Sequence, residues 1–319
     1  MNGRYLIGRI LQMVPLLIGI SILGFGMMHL APGGPTALYT TNPNVTAEDV
    51  ARIKELWGLN KPLQVQYLTW AGNIFTGNFG TSFRGGAEVR GLVWERVPAT
   101  LELMGTAYAV AILLGFAIGA LGALRQYSIF DYLATTGALV ALSIPTFWFG
   151  LMVIFIFSEQ LGWIPSGGTR SLTAAGGSFG DRLHHLVAPA GVLGLVLTAQ
   201  WSRYFRSSLL ETIGQDYVRT AHAKGLPSGA VLRWHILRNA ILPIIALAGV
   251  QLPVAFSGAL VAESVFGWAG MGRLFLDALT YRDYPVLMAL LMVTAVLVVV
   301  GNLVADIALG IVDPRIGAR

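Results

Sequence analysis

The sequence predicts an all-α polytopic membrane protein with six transmembrane helices, and three observations lead there. Hydrophobic residues make up 55% of the 319 and charged residues only 12%, against roughly 25% charged in soluble domains. The mean hydropathy is +0.67. Apolar stretches long enough to cross about 30 Å of hydrocarbon at about 1.5 Å per residue recur near 10–31, 99–124, 132–157, 186–205, 240–262 and 286–309. These stretches are continuously apolar, without the alternation of barrel strands, so they read as helices.

The first span follows Arg4 and Arg9. It exceeds the core of a secretory signal and runs into Pro32-Gly-Gly without a small-x-small cleavage site, so it reads as a retained signal anchor. The loop after it has structure of its own. Thr46-Ala-Glu-Asp49 opens like a capped helix, Val50, Ile53 and Trp57 recur at helical spacing, and Gly58 ends it. A second segment, Gln64 to Phe75, carries Tyr67, Trp70 and Ile74 on one side, which suits a helix at the membrane interface. Residues 1–98 therefore form an anchor helix with a long extracytoplasmic loop, and 99–319 a five-helix core with a cytosolic loop at 206–239.

In the core, Ala111, Gly115, Gly119 and Ala123 recur every four residues and give the second span a flat stripe for close packing. Pro145 and Pro189 mark kinks in the third and fourth spans, and Pro189 and Arg203 shorten the apolar part of the fourth. Six spans put both termini on one side. Arg4, Arg9, Arg125, Arg203, Arg206, Arg219, Lys224, Arg233, Arg238, Arg315 and Arg319 fall there, against the acids Asp131, Glu211, Asp216 and Asp313, so the termini are expected in the cytoplasm. Arg52, Lys54, Lys61, Arg84, Arg90 and Arg96 lie opposite, in a loop too long to weigh heavily in that rule.

Several chemistries are argued against. Cysteine is absent, which removes disulfides and thiolate metal sites. The net charge of +5 is scattered rather than clustered into a nucleic-acid footprint. Lys54, Lys61 and Lys224 are followed by Glu, Pro and Gly, so no phosphate-cradling Gly-Lys-Ser/Thr loop exists and any ATP must bind elsewhere. Glu102 and Asp306 are the carboxylates inside the predicted spans, both near span ends, which disfavours an ion-coupled carrier. His184 and His185, placed in an outer loop, lack a third ligand at metal spacing.

The polar insert at 206–239 is the main lead. Asp216 to Lys224 spans two helical turns with an acid first and a base last, matching the helix dipole, and Gly225 and Pro227 stop it. Ala221, Ala223 and Gly225 are small enough for a partner's backbone to approach closely, as in a helix laid into a groove. An amphipathic connector resting on the headgroups fits the same residues. Within the spans, Ser143, Gln200, Gln251 and Asn302 are the polar groups able to line a pathway or to join helices by hydrogen bonds. Gln251 stands out, because Pro253 beside it frees backbone carbonyls.

The stretch Tyr217-Val-Arg-Thr-Ala-His-Ala-Lys-Gly225 with Ile241-Leu-Pro243 resembles the EAA coupling loop of ABC importer permeases of the dipeptide/oligopeptide/nickel branch. Arg219 and Thr220 replace the generic Glu and Ala, and the Leu-Pro lies farther from Gly225, departures usual in that branch. The likeness extends along the chain through Arg4-Tyr-Leu-Ile-Gly-Arg9, His29-Leu-Ala-Pro-Gly33, Gly80-Thr-Ser-Phe83 and Glu95-Arg-Val-Pro-Ala-Thr-Leu101. It continues through Ser143-Ile-Pro-Thr-Phe-Trp148, Gly162-Trp-Ile-Pro165, Ser207-Ser-Leu-Leu-Glu211, Arg282-Asp-Tyr-Pro285 and Asp313-Pro-Arg315.

The resemblance implies a type I importer permease, with a five-helix MetI-like core plus an N-terminal helix, in a bacterial or archaeal plasma membrane. Its implied partners are a second homologous permease, two cytosolic ATPase subunits that hold the ATP and Mg, an extracytoplasmic solute-binding protein and membrane lipid. Nucleic acid and any cofactor of the chain's own are not expected. The implied coupling residues are Asp216, Tyr217, Arg219, Thr220, Ala221, Ala223, Lys224, Gly225 and Leu226. Di- or oligopeptides are the implied cargo. Nickel chelates, glutathione or other small solutes are the alternatives within the family, and an ion-coupled carrier or channel subunit is the remote one.

Overall fold

The computed structural model describes residues 3–40, 45–171 and 177–312. The Asp313-Pro-Arg315 motif and Arg319 lie outside them. The helices in order are α1 (Gly3–Leu30), α2 (Ala37–Thr40), α3 (Ala47–Leu56), α4 (Leu63–Phe75), α5 (Val89–Leu124), α6 (Ile129–Ser143) and α7 (Thr146–Val153). They continue with α8 (Phe179–Ile213), α9 (Asp216–Ala223), α10 (Ser228–Val231), α11 (Arg238–Val265), α12 (Met271–Thr280) and α13 (Tyr284–Val312). Wider π-type turns extend α7 over Ile154–Gln160 and fill Leu232–Leu237 ahead of α11.

Among the described residues, five stretches are long and apolar enough to cross a membrane, in α1, α5, α8, the run Ser228–Pro253, and α13. The third predicted span is not one straight helix. Its halves, Ile129–Ser143 and Thr146–Gln160, meet at 99°, giving six spans if the bent pair counts as one. Pro145 explains the break, since it drives Ile144 out of the helical region to ψ 125°. Pro189, by contrast, sits within an unbroken α8.

Helix ends are also corrected. α5 begins at Val89, so Arg90, Glu95 and Arg96 are helical rather than in the loop. α8 begins at Phe179, so His184 and His185 lie in its first turns and not in an outer loop. It runs on to Ile213, so the first residues of the 206–239 insert are helical too. α11 ends at Val265 and thereby includes Glu263, a carboxylate fully shielded from solvent. The reading that spans carry only Glu102 and Asp306 fails here, because the helix continues past the apolar run that marked it.

The described chain divides into two compact units. The first comprises 1–6, 100–269 and 300–319. Here α8 is packed by α6, α7 and α11, and the small-residue stripe of α5 lies against it. A Cβ on Gly115 would sit 2.8 Å from Trp201 Cβ, and one on Gly119 2.7 Å from the Ser202 carbonyl oxygen. Ion pairs and a buried hydrogen bond join its helices. Arg206 forks onto Asp131 at 2.5 and 2.7 Å, Arg182 grips Glu102, and Thr100 donates to Glu263 at 2.6 Å. Charge so close to lipid is retained because each group meets an opposite charge or a donor.

The second unit comprises 7–99 and 270–299. The predicted capping box is present, with Thr46 Oγ1 accepting from Asp49 N at 3.2 Å and the Asp49 carboxylate accepting from Thr46 N at 3.1 Å. Tyr67 and Trp70 of α4 pack with Phe25 of α1, and the Tyr67 and Ser21 hydroxyls lie 2.8 Å apart. The side of α4 that carries Tyr67 and Trp70 therefore packs on α1. The buried Asp283 carboxylate accepts from the Ser82 hydroxyl and from Phe83 N, and Phe83 stacks on Trp57 at 3.7 Å.

Candidate functional site

The 216–226 segment is held from both ends. Ser208 Oγ donates to the Ala240 carbonyl at 2.7 Å in a buried contact, tying the end of α8 to the start of α11 and fixing the width of the insert between them. Two residues earlier, Arg206 is forked onto Asp131, whose carboxylate also accepts from Tyr127 N at 3.0 Å. Tyr127 has a φ of 62°, an unusual left-handed conformation for a tyrosine, stabilised here by that bond.

From this base the chain turns into α9. Asp216 stands in its first turn, where its charge suits the exposed N–H groups, and Arg219 is 3.7 Å from it. The helix stops in a six-residue closing motif. Gly225 N donates to His222 O at 2.9 Å, Leu226 N to Ala221 O at 3.4 Å, and Gly225 takes a φ of 77°. Glycine is favoured there by conformation, as the Lys-Gly-Leu-Pro sequence predicts.

The faces of α9 are sorted clearly. Val218 and Ala221 are buried at 3% and 4% exposure, turned toward α10 and the Leu232–Leu237 turn. Tyr217, Arg219, Thr220, Ala223, Lys224, Gly225 and Leu226 are exposed, with Tyr217 at 42% and Leu226 at 40%. This corrects one part of the sequence reading. Ala221 does not belong to an outward small-residue face; it is small because it packs inward, and Ala223 and Gly225 alone of that trio face out. Tyr217 on α9 and Leu226 just past its end are large side chains left exposed.

The pathway candidates stand on four different helices. Ser143 ends α6 and donates to its own Leu139 carbonyl at 2.8 Å. Gln200 lines a recess of about 510 Å³ with Arg203, Tyr204, Ser207 and Thr135. Asn302 lies against α11, where its Oδ1 would be 2.8 Å from a Cβ on Gly249, and Gln251 is two residues farther along that helix, partly buried. His184 Nε2 lies 2.8 Å from the Trp163 carbonyl oxygen, and His185 Nδ1 lies 3.6 Å from the Asp181 carboxylate.

With this geometry in place, comparison with known families is decisive. Residues 111–318 match the model described as binding-protein-dependent transport system inner membrane component, and residues 2–104 match its N-terminal companion. The chain belongs to this permease family. The oligopeptide transport system permease AppB of Bacillus subtilis is 46% identical over 98% of this permease and 99% of its own length. The dipeptide transport system permease DppB of Escherichia coli K12 is 35% identical over 98% of each chain. Among solved structures, a chain of the methionine ABC transporter MetNI in inward-facing conformations overlays 69% of the permease and 96% of its own length, with a TM-score of 0.55 at 18% identity. That likeness establishes a MetI-like helical permease fold.

Sequence reasoning missed three positions that hold the permease together: Glu263, Asp131 as a buried rather than solvated acid, and Ser208. Asp131 did carry a signal, since Ser128 three residues before it is a capping residue whose Oγ accepts from Asp131 N at 3.3 Å. Nothing local announces its pairing with Arg206.

Proposed function

We propose that this permease forms half of the translocation pathway of an ATP-driven importer of di- and oligopeptides, with its termini in the cytoplasm. A second homologous permease supplies the other half. Two cytosolic ATPase subunits bind the ATP and Mg, and an extracytoplasmic binding protein delivers the cargo. The chain itself hydrolyses nothing. The observation that carries the proposal is α9, a short helix whose Val218 and Ala221 are locked inward while Tyr217, Ala223 and, just past its end, Leu226 are presented outward.

In this reading α9 seats in a cleft of an ATPase subunit. When that subunit closes on nucleotide, α9 moves as a piece, because its buried face ties it to α10 and the turn leading into α11. Displacement reaches α8 and α11 together through the Ser208–Ala240 bond, and α6 through the Arg206–Asp131 fork. Ser143, Gln200, Gln251 and Asn302 are the polar groups proposed to meet the cargo as those helices tilt. The likeness to peptide permeases over nearly the whole chain supports peptides as cargo.

Reconstitution tests this. Co-purification of ATPase subunits with the permease, and ATP-dependent peptide uptake into proteoliposomes given loaded binding protein, are the expected results. Uptake of a nickel chelate or glutathione in place of peptide would replace the cargo, and uphill transport with no ATPase present would overturn the proposal.

A further inference from the structure

We propose that the recess between α6 and α8 holds the C-terminal carboxylate of a peptide in transit, with Arg203 as the side chain that binds it; this rests on the peptide-importer reading above. Gln200, Arg203, Tyr204 and Ser207 line the recess from α8, and Thr135 and Leu142 line it from α6. The four positions on α8 follow the three- and four-residue spacing that places side chains on one face of a helix. Thr135 and Leu142, two turns apart, share a face of α6 in the same way. The recess is thus a groove between two helical stripes.

The α8 stripe is polar and open, unlike its neighbours on the same helix. Thr198 donates to the Gly194 carbonyl at 2.7 Å, Ser202 to the Ala199 carbonyl at 3.1 Å and Thr212 to the Ser208 carbonyl at 2.8 Å. Among the described residues, the side chains of Gln200, Arg203, Tyr204 and Ser207 make no hydrogen bond or ion pair within the chain. They are also within reach of a solute: Arg203, Tyr204 and Ser207 are exposed and Gln200 is half-buried. Arg206 lines the recess as well, but Asp131 takes its charge through the fork. Arg203 is left as an uncompensated positive charge in a groove that no carboxylate lines. A charge placed so at the end of a span marks a path for a ligand of opposite sign.

Chemistry and size select the occupant. A guanidinium matches a carboxylate by two parallel N–H bonds. The Gln200 amide and the Tyr204 and Ser207 hydroxyls can each donate and accept, which suits the N–H and C=O groups of a peptide backbone. With no acid to receive an N-terminal ammonium, the carboxylate end is the one the groove favours. Gln200 to Ser207 covers about 10 Å at about 1.5 Å per residue, the length of about three extended residues at about 3.4 Å each. The volume of about 510 Å³ lies within the usual range of small-ligand sites of about 300–1,000 Å³.

Uptake of trialanine and of trialanine amide by the reconstituted complex, each measured per loaded binding protein, tests the assignment. Arg203→Gln is expected to lower trialanine uptake about tenfold, with Arg203→Lys in between. The amide, which lacks the carboxylate, is expected to enter wild type at the reduced rate and to be indifferent to Arg203→Gln. Thermal unfolding of Arg203→Gln should match wild type, because the side chain is exposed and holds nothing in the chain. Wild-type trialanine uptake by Arg203→Gln would overturn the proposal. Equal loss of both peptides would overturn it too, and would turn Arg203 toward a lipid headgroup or a neighbouring subunit. Failure of wild type to take up either peptide would instead remove the peptide reading, and this proposal with it.

Discussion

Gly225→Asp isolates the function of the α9 segment from its folding. The substitution forces an L-residue into a φ of 77°, which costs about 1–2 kcal/mol in general and nearer 1 for aspartate, a residue that tolerates this region. No further steric cost arises inside the chain, because a Cβ at Gly225 meets no atom within 4 Å. The permease should therefore insert, assemble and melt close to wild type. What changes is the outward surface, where a carboxylate replaces a hydrogen beside exposed Leu226 and Lys224. The assay is ATP hydrolysis by the reconstituted complex, stimulated by loaded binding protein. A loss of tenfold or more, equivalent to about 1.4 kcal/mol or above, is expected in stimulated hydrolysis and in uptake. Gly225→Asn, with the same backbone tolerance and no charge, should lose less. Stimulated hydrolysis at the wild-type rate in Gly225→Asp would refute the placement of this segment in an ATPase cleft.

Four further outcomes follow from the same geometry. Gly119→Val should lower stability by about 1–3 kcal/mol, since its Cβ must displace the Ser202 backbone, whereas Gly105→Ala, facing open space, should not; thermal unfolding in detergent compares them. Asp131→Asn should cost about 3 kcal/mol by leaving Arg206 without its counter-charge, and Asp131→Asn with Arg206→Met should recover much of that in the same measurement. Gln251→Leu should reduce peptide uptake in a complex that still assembles, and normal uptake would remove it from the pathway. The Thr46 hydrogen bonds hold the Asp49 carboxyl below its ordinary value. A depressed folded pKa means the α3 cap contributes fully above the unfolded value of about 3.9 and is lost as pH falls through the folded one. Hydrogen exchange in α3, corrected for intrinsic rate, should then stay flat from pH 7 to about 5 and rise below about pH 4.

Features set by short-range periodicity were legible in the sequence. Thr46 and Asp49 are three residues apart, so their cap follows from spacing alone, and the four-residue recurrence of Gly115 and Gly119 marked the face that α8 now covers. Gly225 was legible because a left-handed stop after a helix leaves few alternatives. The rest depended on pairings that spacing does not encode. Asp131 and Arg206 are 75 residues apart, and each taken alone looks like an ordinary charge at a membrane boundary. Glu263 was missed because an apolar run ends where lipid contact ends, whereas a helix continues as long as its hydrogen bonds are satisfied. Ala221 was placed on the wrong face of α9 because two turns of helix contain too few apolar residues to fix its rotation. Burial of Val218 and Ala221 together does fix it.

The distribution of charge along α8 bears on how force crosses the permease. Its 35 residues hold Asp181, Arg182, Arg203, Arg206 and Glu211, grouped toward the ends of the helix, with an apolar stretch between them. Arg182 is fastened to Glu102 of α5, and Arg206 to Asp131 of α6. Between those two ties Gly115 and Gly119 bring α5 close to the α8 backbone, Tyr108 and Phe116 of α5 pack on Trp201 and Phe205, and Ala188 and Val192 pack with Phe266. A helix fastened at two points and packed along its length tilts as a rod more readily than it bends. In the proposed mechanism a push on α9 would arrive at α8 as rotation about these anchors, and the Arg206–Asp131 fork is the contact that would either carry α6 along or break. Asp131→Asn tests that alternative too: at a temperature where the variant remains folded, uncoupling of hydrolysis from uptake is expected if the fork carries α6, and full coupling if α6 moves independently.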